Sequence, residues 1–360
     1  LKAAQQVALD STPGFPCSRI ANTNKAVLES HGDAIVDKAV ERLFKILLED
    51  VPASAEEILR EDWHDPCTPF IKREPHPSRK SVDGKWRIVS CLSIVDQLVE
   101  RVILSRAIFS IKLKYPYSDV VIGIGFTDQM NEEFHSRVRQ RIGPDVTSTD
   151  ISGWDRVLGA TWLQEAAESV IRSEQSKSPN WQRAVRNHAY MMVRPSFIIP
   201  NGTNSLIVTR IRPGGQISGG YQTTAYNGLA RVDVSNVAGS DICIAAGDDA
   251  LESFPRGYDY LSRYEEMGFT VRQEDPAPNS FDFCSHLYTD ANPKCASLTS
   301  WPKTVSKYFQ KNQVTVTHMM AIYYELRNDP ELLAILAPYI DARYLECQEP
   351  AKGTVAGQSL

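Results

Sequence analysis

Ile242-Cys243-Ile244-Ala245-Ala246-Gly247-Asp248-Asp249-Ala250-Leu251-Glu252 carries the strongest indication of how this chain folds. An apolar run, a Gly-Asp-Asp turn and a second apolar run predict a β-hairpin, because glycine and aspartate adopt the turn conformations that the flanking residues avoid. Taken alone, a hairpin turn rich in Gly and Asp is an ordinary turn. The flanking strands change its meaning, since they would project Asp248 from a rigid sheet edge. A second short strand, predicted over 145–149, ends in Asp150-Ile151-Ser152-Gly153-Trp154-Asp155 and would bring Asp150 beside it. Carboxylates from distant parts of a chain do not gather on an apolar platform without a cation, because repulsion and desolvation would raise their pKa values or unfold the site. Two divalent metals about 3.5–4 Å apart meet that need, and can also activate a hydroxyl and stabilise a leaving phosphate.

Between the two acidic motifs stands Ser218-Gly219-Gly220, followed by Thr223 and Asn227. Glycines let a backbone approach a ligand closely. Thr223 and Asn227, four apart on a predicted helix running to about residue 237, share a face. The plain structural alternative is a Gly-rich loop capping a buried helix. Asp155 falls where the strand gives way to a helix, and its plain alternative is a helix-capping acid.

In this order the three motifs resemble motifs A, B and C of viral RNA-dependent RNA polymerases. The resemblance implies that Asp150 and Asp248 are the principal metal ligands and Asp249 a secondary one, holding two Mg²⁺ ions, with Mn²⁺ as the alternative. It implies that Asp155 and Asn227 meet and sense the ribose 2′-hydroxyl, with Ser218 and Thr223 at the nucleotide and Gly219 and Gly220 on the RNA path. Reverse transcriptases place an aromatic side chain near the position of Asp155, so an RNA product is favoured over DNA. Upstream, Ile71-Lys72-Arg73-Glu74 with Lys80, Lys85 and Arg87 resembles motif F, whose cations line the nucleotide channel. Arg87 is the candidate for the triphosphate, since guanidinium binds phosphate as a fork, and Lys72 and Lys85 would assist. Thr12-x-Gly14-x-Pro16 matches motif G on the template path. Phe283-Cys284-Ser285-His286 resembles motif E, the hairpin beneath the primer end, putting Cys284 and Ser285 on the RNA path; its wording is close to sobemoviruses, poleroviruses, barnaviruses and their relatives. One departure stands out. Motif D commonly presents a lysine, yet no Lys follows Asp249 until Lys294. Arg272 is the nearest substitute, and with a pKa above about 12 it is a poor proton donor, so the general acid is unassigned.

The remaining sequence bounds this expectation. With 360 residues and 42% hydrophobic content, a sizeable folded core is expected. A formal charge of −5 argues against a protein that coats nucleic acid by broad phosphate neutralisation. Local basic segments remain at Lys72, Arg73, Arg79, Lys80, Lys85 and Arg87 and at Arg183, Arg186, Arg194, Arg210 and Arg212, readable as a channel or as two solvated faces. Seven scattered cysteines without a CxxC spacing suit reduced thiols in a cytosolic compartment and give no zinc site. No apolar run of about 20 residues and no charged-then-apolar leader are readable. A first residue of Leu1 is read as a sign of processing or trimming. Gly123-x-Gly125 lacks the third glycine of a dinucleotide fingerprint, and neither a phosphate-binding Walker loop nor a nucleophile elbow is present.

The expected fold is therefore α+β, a right-hand polymerase whose palm is an antiparallel, RRM-like sheet. The expected division is 1–92 as N-terminal fingers with motifs G and F, 93–155 as palm with motif A, 156–212 as a fingers insertion, 213–289 as palm with motifs B to E, and 290–360 as a short thumb and tail. Within it, 1–31 is expected to be largely extended, 33–48 helical, a helix capped by Ser93 to run to about 108, 154–170 helical, and 171–212 a polar insertion with strands at 196–199 and 206–211. The expected partners are an RNA template and nascent RNA, nucleoside triphosphates, other replication proteins and, for one mode of initiation, a viral protein primer, all in replication complexes of the host cytoplasm. A reverse transcriptase and a catalytically idle RNA-binding scaffold on the same fold are the rivals.

Overall fold

The computed structural model describes residues 2–72, 74–75, 82, 84, 86–174, 176, 178–201, 204–274 and 279–348. Lys85, Arg73, Arg79 and Lys80 lie outside the described residues. The strands in chain order are β1 (Thr68–Ile71), β2 (Ile88–Cys91), β3 (Thr147–Ile151), β4 (Ser196–Asn201), β5 (Asn204–Thr209), β6 (Ile242–Ala246), β7 (Asp249–Ser253), β8 (Val271–Glu274), β9 (Ser280–Phe283), β10 (His286–Thr289) and β11 (Ala296–Leu298). Two compact units emerge, one of Leu1–Lys72, Trp86–Gly125 and Ser136–Asp275, the other of Arg73–Lys85, Phe126–His135 and Pro276–Leu360.

The first unit is organised around a four-stranded sheet in the order β6-β7-β3-β8, every pair antiparallel. Helices link β3 to β6 and β7 to β8, which makes it the split βαβ arrangement of RRM-like folds. The middle three residues of both β6 and β7 are buried, as apolar strands backed by helices should be. Against β6 packs the helix Thr223–Val237, which in turn meets the helix Ala160–Glu174. Leu163, Ala166, Ala167, Val170, Ala230 and Val234 lie in their shared core. Each fully buried Leu or Val is worth about 1.5–3 kcal/mol. A parallel bridge from Val120 to Ala245 extends the sheet past β6.

Four local expectations differ from the structure. The helix predicted over 33–48 begins much earlier, as Asn24–Leu48, because Thr23 caps it by accepting from the Ala26 amide at 3.3 Å. It is kinked at His31, just before Gly32, where φ is −137°. The stretch before it is not simply extended, since it holds the short helices Lys2–Gln5 and Cys17–Arg19. The helix predicted over 154–170 is two helices, Trp154–Val157 and Ala160–Glu174, parted at Leu158 and Gly159. Within the expected insertion the hairpin β4–β5 forms, but it is preceded by a helix, Pro179–Met192, with Ala184, Val185, His188, Ala189 and Met192 buried. The helix begun at Ser93 forms as expected, with Ser93 accepting from the Asp96 amide at 3.1 Å, and continues to Leu113.

The second unit carries a three-stranded antiparallel sheet, β11-β10-β9, whose β9–β10 hairpin turns at Cys284 and Ser285. Phe134, Phe281, Phe283 and Tyr288 stack within this unit at centroid distances of 5.0–6.3 Å. The helices Trp301–Phe309, Val316–Leu326 and Pro330–Gln348 close over a smaller core of Val305, Tyr308, Val314, Ile322, Leu326 and Ile340.

Candidate active site

The hairpin places its acids by register. Ala246 pairs with Asp249, which leaves Gly247 and Asp248 as a two-residue turn. Gly247 has φ 70° while Asp248 keeps negative φ, the pattern of a type II′ turn, whose first central position favours glycine. Thr149 of β3 pairs with Ala250 of β7, and one step further along the same register sets Asp150 opposite Asp249. The three acids therefore share one end of the sheet. On its other side Asp150 pairs with Arg272 of β8, so carboxylate and guanidinium emerge from the same face.

Asp155 is brought in by the sharp turn after β3. Gly153, at φ 69°, occupies the cap position of the helix Trp154–Val157, and no side chain caps it. Asp155 is thus not the capping acid. Asn227, 72 positions later, donates from Nδ2 to Asp155 Oδ1 at 3.0 Å. Its own Oδ1 is buried with no hydrogen-bond partner among the described residues, an acceptor open to a donor from a ligand. Burial raises the Asp155 pKa, and the charge of Asp248 raises it further, while the Asn227 hydrogen bond and the Arg87 guanidinium oppose the rise. Residues from three separated segments thus act on one carboxylate. Gly228 shows how closely the helix approaches the hairpin: a Cβ there would stand 2.7 Å from Val120 Cγ1 and 3.6 Å from the Gly247 amide nitrogen.

The loop ahead of that helix is tied at many points. Gly214, Gly215 and Gln216 donate their amides to the carbonyls of Val193, Leu158 and Asp155. The Ser90 amide donates to Ser218 Oγ at 3.3 Å, and Gly219 lies so near β2 that a Cβ would fall 2.1 Å from the Ser90 carbonyl oxygen. Thr223 turns its hydroxyl back to the carbonyls of Ile217 and Gly220, at 2.7 and 2.9 Å, and closes the loop. The next two amides are taken by a residue that sequence reasoning missed. Glu100, fully buried, accepts from Tyr221 at 2.7 Å and from Gln222 at 3.3 Å. A signal for it existed, because Glu100 sits in helical spacing with Ile103, Leu104 and Ala107, where a carboxylate has no place unless something binds it.

A model of the family described as viral RNA-directed RNA-polymerase matches residues 2–108 and 162–301. The chain belongs to that family. It is 30% identical to the replicase polyprotein P2AB of Southern bean mosaic virus over 87% of its own length and 33% of the polyprotein. To the RNA-directed RNA polymerase of Mushroom bacilliform virus it is 29% identical, over 78% of this chain and 69% of that protein. To Protein P1-P2 of Potato leafroll virus it is 28% identical, over 94% of this chain and 33% of that protein. The chain spans about one third of the length of the P2AB and P1-P2 relatives. Among solved structures, the sicinivirus 3Dpol RNA dependent RNA polymerase superposes with a TM-score of 0.68 at 12% identity, over 95% of this chain and 74% of that one. That likeness bears out the right-hand polymerase fold.

Asp150 and Asp155 fall between the two matched stretches of this polymerase family and are placed by geometry alone, whereas Arg87 lies in the first stretch and Asn227, Asp248 and Asp249 in the second. The remaining expected residues divide. Lys72 donates its amide to the Arg87 carbonyl at 2.8 Å, so the two continue the β1–β2 register side by side. Gly14, at φ 65°, is packed so tightly that a Cβ would meet the Leu92 carbonyl oxygen at 2.4 Å; Thr12 and Pro16 flank it in the same unit. Cys284 and Ser285 belong to the second unit, as the β9–β10 turn, with φ of 52° and 59°. Both values lie where non-glycine residues are strained. A divalent ion suits Asp150, Asp248 and Asp249, since all three offer hard oxygen donors. Among the described residues no three acidic, His or Cys side chains form a ready cage. Mg²⁺ is commonly held by one or two carboxylates together with substrate phosphates, so a cage is not required.

Proposed function

We propose that the chain is an RNA-dependent RNA polymerase, adding nucleoside monophosphate from a nucleoside triphosphate to an RNA 3′-end under direction of an RNA template. The observation that carries this reading is the Asp155–Asn227 hydrogen bond, with the unsatisfied Asn227 Oδ1 beside it and Asp248 and Arg87 within electrostatic reach. A buried acceptor next to a carboxylate is built to receive a hydroxyl, and a ribonucleotide brings one at its 2′ position.

Each residue then has a task. Asp150 and Asp248, with Asp249 in support, would hold two Mg²⁺ ions. When bound, the ions lower the pKa of the attacking 3′-hydroxyl and neutralise charge on the triphosphate. Arg87 forks onto phosphate oxygens and Lys72 adds charge beside it. Lys85 keeps the assisting role that the family resemblance implies, outside the described residues. Gly219 and Gly220 carry the loop past the templating base, and Ser218 and Thr223 hold the loop's shape at the nucleotide. Thr12, Gly14 and Pro16 belong to the template path, Cys284 and Ser285 to the primer side. Arg272 serves as a fixed positive charge beside Asp150 and not as a proton donor. The β6-β7-β3-β8 sheet is the palm, 1–92 and 156–212 the fingers, and 290–360 the thumb. Synthesis in replication complexes of the host cytoplasm is part of the same proposal.

The test is sugar choice. In single-turnover incorporation on one RNA template, Asn227→Ala and Asp155→Ala should each narrow the ratio of ATP to dATP efficiency by about ten- to a hundredfold, the worth of one buried polar contact. The double mutant should lose less than the two losses combined, because the groups are coupled. An unchanged ratio in both single mutants would overturn the ribose assignment. A wild type that prefers dATP would favour a reverse transcriptase, and one that incorporates nothing in Mg²⁺ would favour a scaffold.

A further inference from the structure

The loop and helix that carry Ser218, Thr223 and Asn227 begin on two amides that no helical carbonyl can satisfy, since the first N–H groups of any helix lack internal partners. Gln222, at the cap position, contributes no side-chain hydrogen bond. The acceptor comes instead from Glu100, 121 and 122 positions earlier in the chain, on the helix Ile94–Leu113. Its carboxylate oxygens take the Tyr221 and Gln222 amides one each. On the far side of the same loop, β2 holds Ser218 and crowds Gly219 through Ser90. The segment 218–222 is therefore clamped between β2, which continues from Arg87, and Glu100.

We propose that Glu100 is a positioning residue for nucleotide selection, its ionised carboxylate fixing the loop 218–222 and, through it, the start of the helix that presents Asn227. The proposal rests on the polymerase reading of the site. Glu100 acts through the backbone of Tyr221 and Gln222. A carboxylate accepts from both amides with charge assistance, whereas a protonated carboxyl keeps full acceptor strength at one oxygen only.

The surroundings make that difference titratable near neutrality. Burial pushes the Glu100 pKa up to about 7, the two amides and Arg101 pulling it back, Asp96 adding to the rise. His188, from the helix Pro179–Met192, stands 3.9 Å from Oε1, and burial, with His64 behind it, lowers its pKa to about 4, so it faces Glu100 as a neutral imidazole above that pH. Tyr226, on the helix being anchored, and Tyr221 both have pKa values raised by burial and remain neutral. Asp96 is engaged with Arg42 at 2.6 Å. Among the described residues the groups that act on this carboxylate, Arg101, Asp96, His188, Tyr221, Tyr226 and Cys67, the last a thiol whose pKa burial raises, keep their charge between pH 6 and 8.

The experiment compares the wild type with Glu100→Gln, which keeps one acceptor oxygen and cannot ionise, and with Glu100→Ala, which keeps none. Single-turnover ATP incorporation on a saturating RNA template is measured from pH 6 to 8.5. Hydrogen exchange of the peptide covering 214–226 is followed in the nucleotide-free proteins over the same range, corrected for intrinsic rates. At pH 6, wild type and Glu100→Gln should agree within about twofold. By pH 8 the wild type should be about tenfold more efficient, the margin between a charged and a neutral acceptor. The loss should lie in the KM for nucleotide, with RNA affinity unchanged. Exchange in 214–226 should separate the two proteins in the same pH range, and Glu100→Ala, if it folds, should exchange fastest throughout. A wild-type to Glu100→Gln ratio that is flat with pH, or loop exchange identical in the two proteins, overturns the proposal. If the wild type incorporates nothing, the polymerase reading fails, and the exchange data still decide whether Glu100 anchors the loop.

Discussion

At the scale of single residues, Asp155 meets opposing demands: burial and Asp248 disfavour its charge, Asn227 and Arg87 favour it. Arg87 also neighbours Lys72 across the β1–β2 register, which directs two cations at one place. Arg87→Ala should therefore raise the apparent KM for nucleotide by about tenfold or more, the cost of a lost charge-assisted hydrogen bond, and Lys72→Ala should raise it less. Steady-state kinetics on a preformed RNA complex would check this; an equal loss of RNA affinity with unchanged kinetics of bound complexes would move both residues to the template. Asp150, Asp248 and Asn227 were legible in the sequence because turn chemistry and short spacing carry them. Glu100 was not, because its meaning lies in two backbone amides more than 120 positions away. The distinction between Asp155 as cap and Asp155 as partner of Asn227 also needed coordinates, since both readings place an acid at a strand-to-helix turn.

Among elements, the joint beneath the sheet decides rigidity. Arg231, four residues after Asn227, forks onto Glu252 of β7 at 3.3 and 3.1 Å, both side chains fully buried. Thr149 of β3 and Ser235 hydrogen-bond to Glu252, and Tyr264 receives Arg231 at 2.8 Å. Burial opposes the Glu252 charge, yet Arg231 and these hydroxyls hold its pKa below the usual carboxylate value. One network thus ties the helix Thr223–Val237 to the strands of Asp150 and Asp249. Glu252→Ala should cost about 3–5 kcal/mol in urea unfolding, because it strands a buried guanidinium. Pairing Arg231→Met with Glu252→Leu should cost less than either half alone; additive losses would show that the ion pair is not a coupled unit. None of this was readable, because Arg231 and Glu252 lie 21 apart on elements of different period. The helix Pro179–Met192 was readable and was obscured by its polar composition: Ser178 before Pro179 is a start signal, and 181, 184, 185, 188 and 192 keep helical spacing.

For the whole molecule, the acidic motifs, the Gly-rich loop and the palm sheet belong to one compact unit, while the strained Cys284–Ser285 turn and the three C-terminal helices belong to the other. The antiparallel, RRM-like sheet was legible through the family resemblance, whereas its strand order and the division into units depend on packing among segments scattered along the chain. Global stability should carry the mark of Glu100. Its folded carboxyl holds a proton to about pH 7, well above the unfolded value of 4.5, so its contribution is complete below pH 4.5 and is lost as pH rises through 7. Urea midpoints should show the wild type losing stability relative to Glu100→Gln between pH 5 and 8; parallel curves would mean that Glu100 titrates normally. RNA-templated synthesis at the Asp150–Asp248 end of the sheet is decided by primer extension on a defined RNA template with Mg²⁺, comparing wild type with Asp248→Asn and recording thermal melting of both. Extension should occur in the wild type, stop with chelator, and fall at least a thousandfold in the variant, the scale of lost transition-state charge stabilisation of about 4 kcal/mol, while the variant melts no lower because one repelling charge near Asp155 is gone. Near-normal extension by a well-folded Asp248→Asn protein would contradict the account.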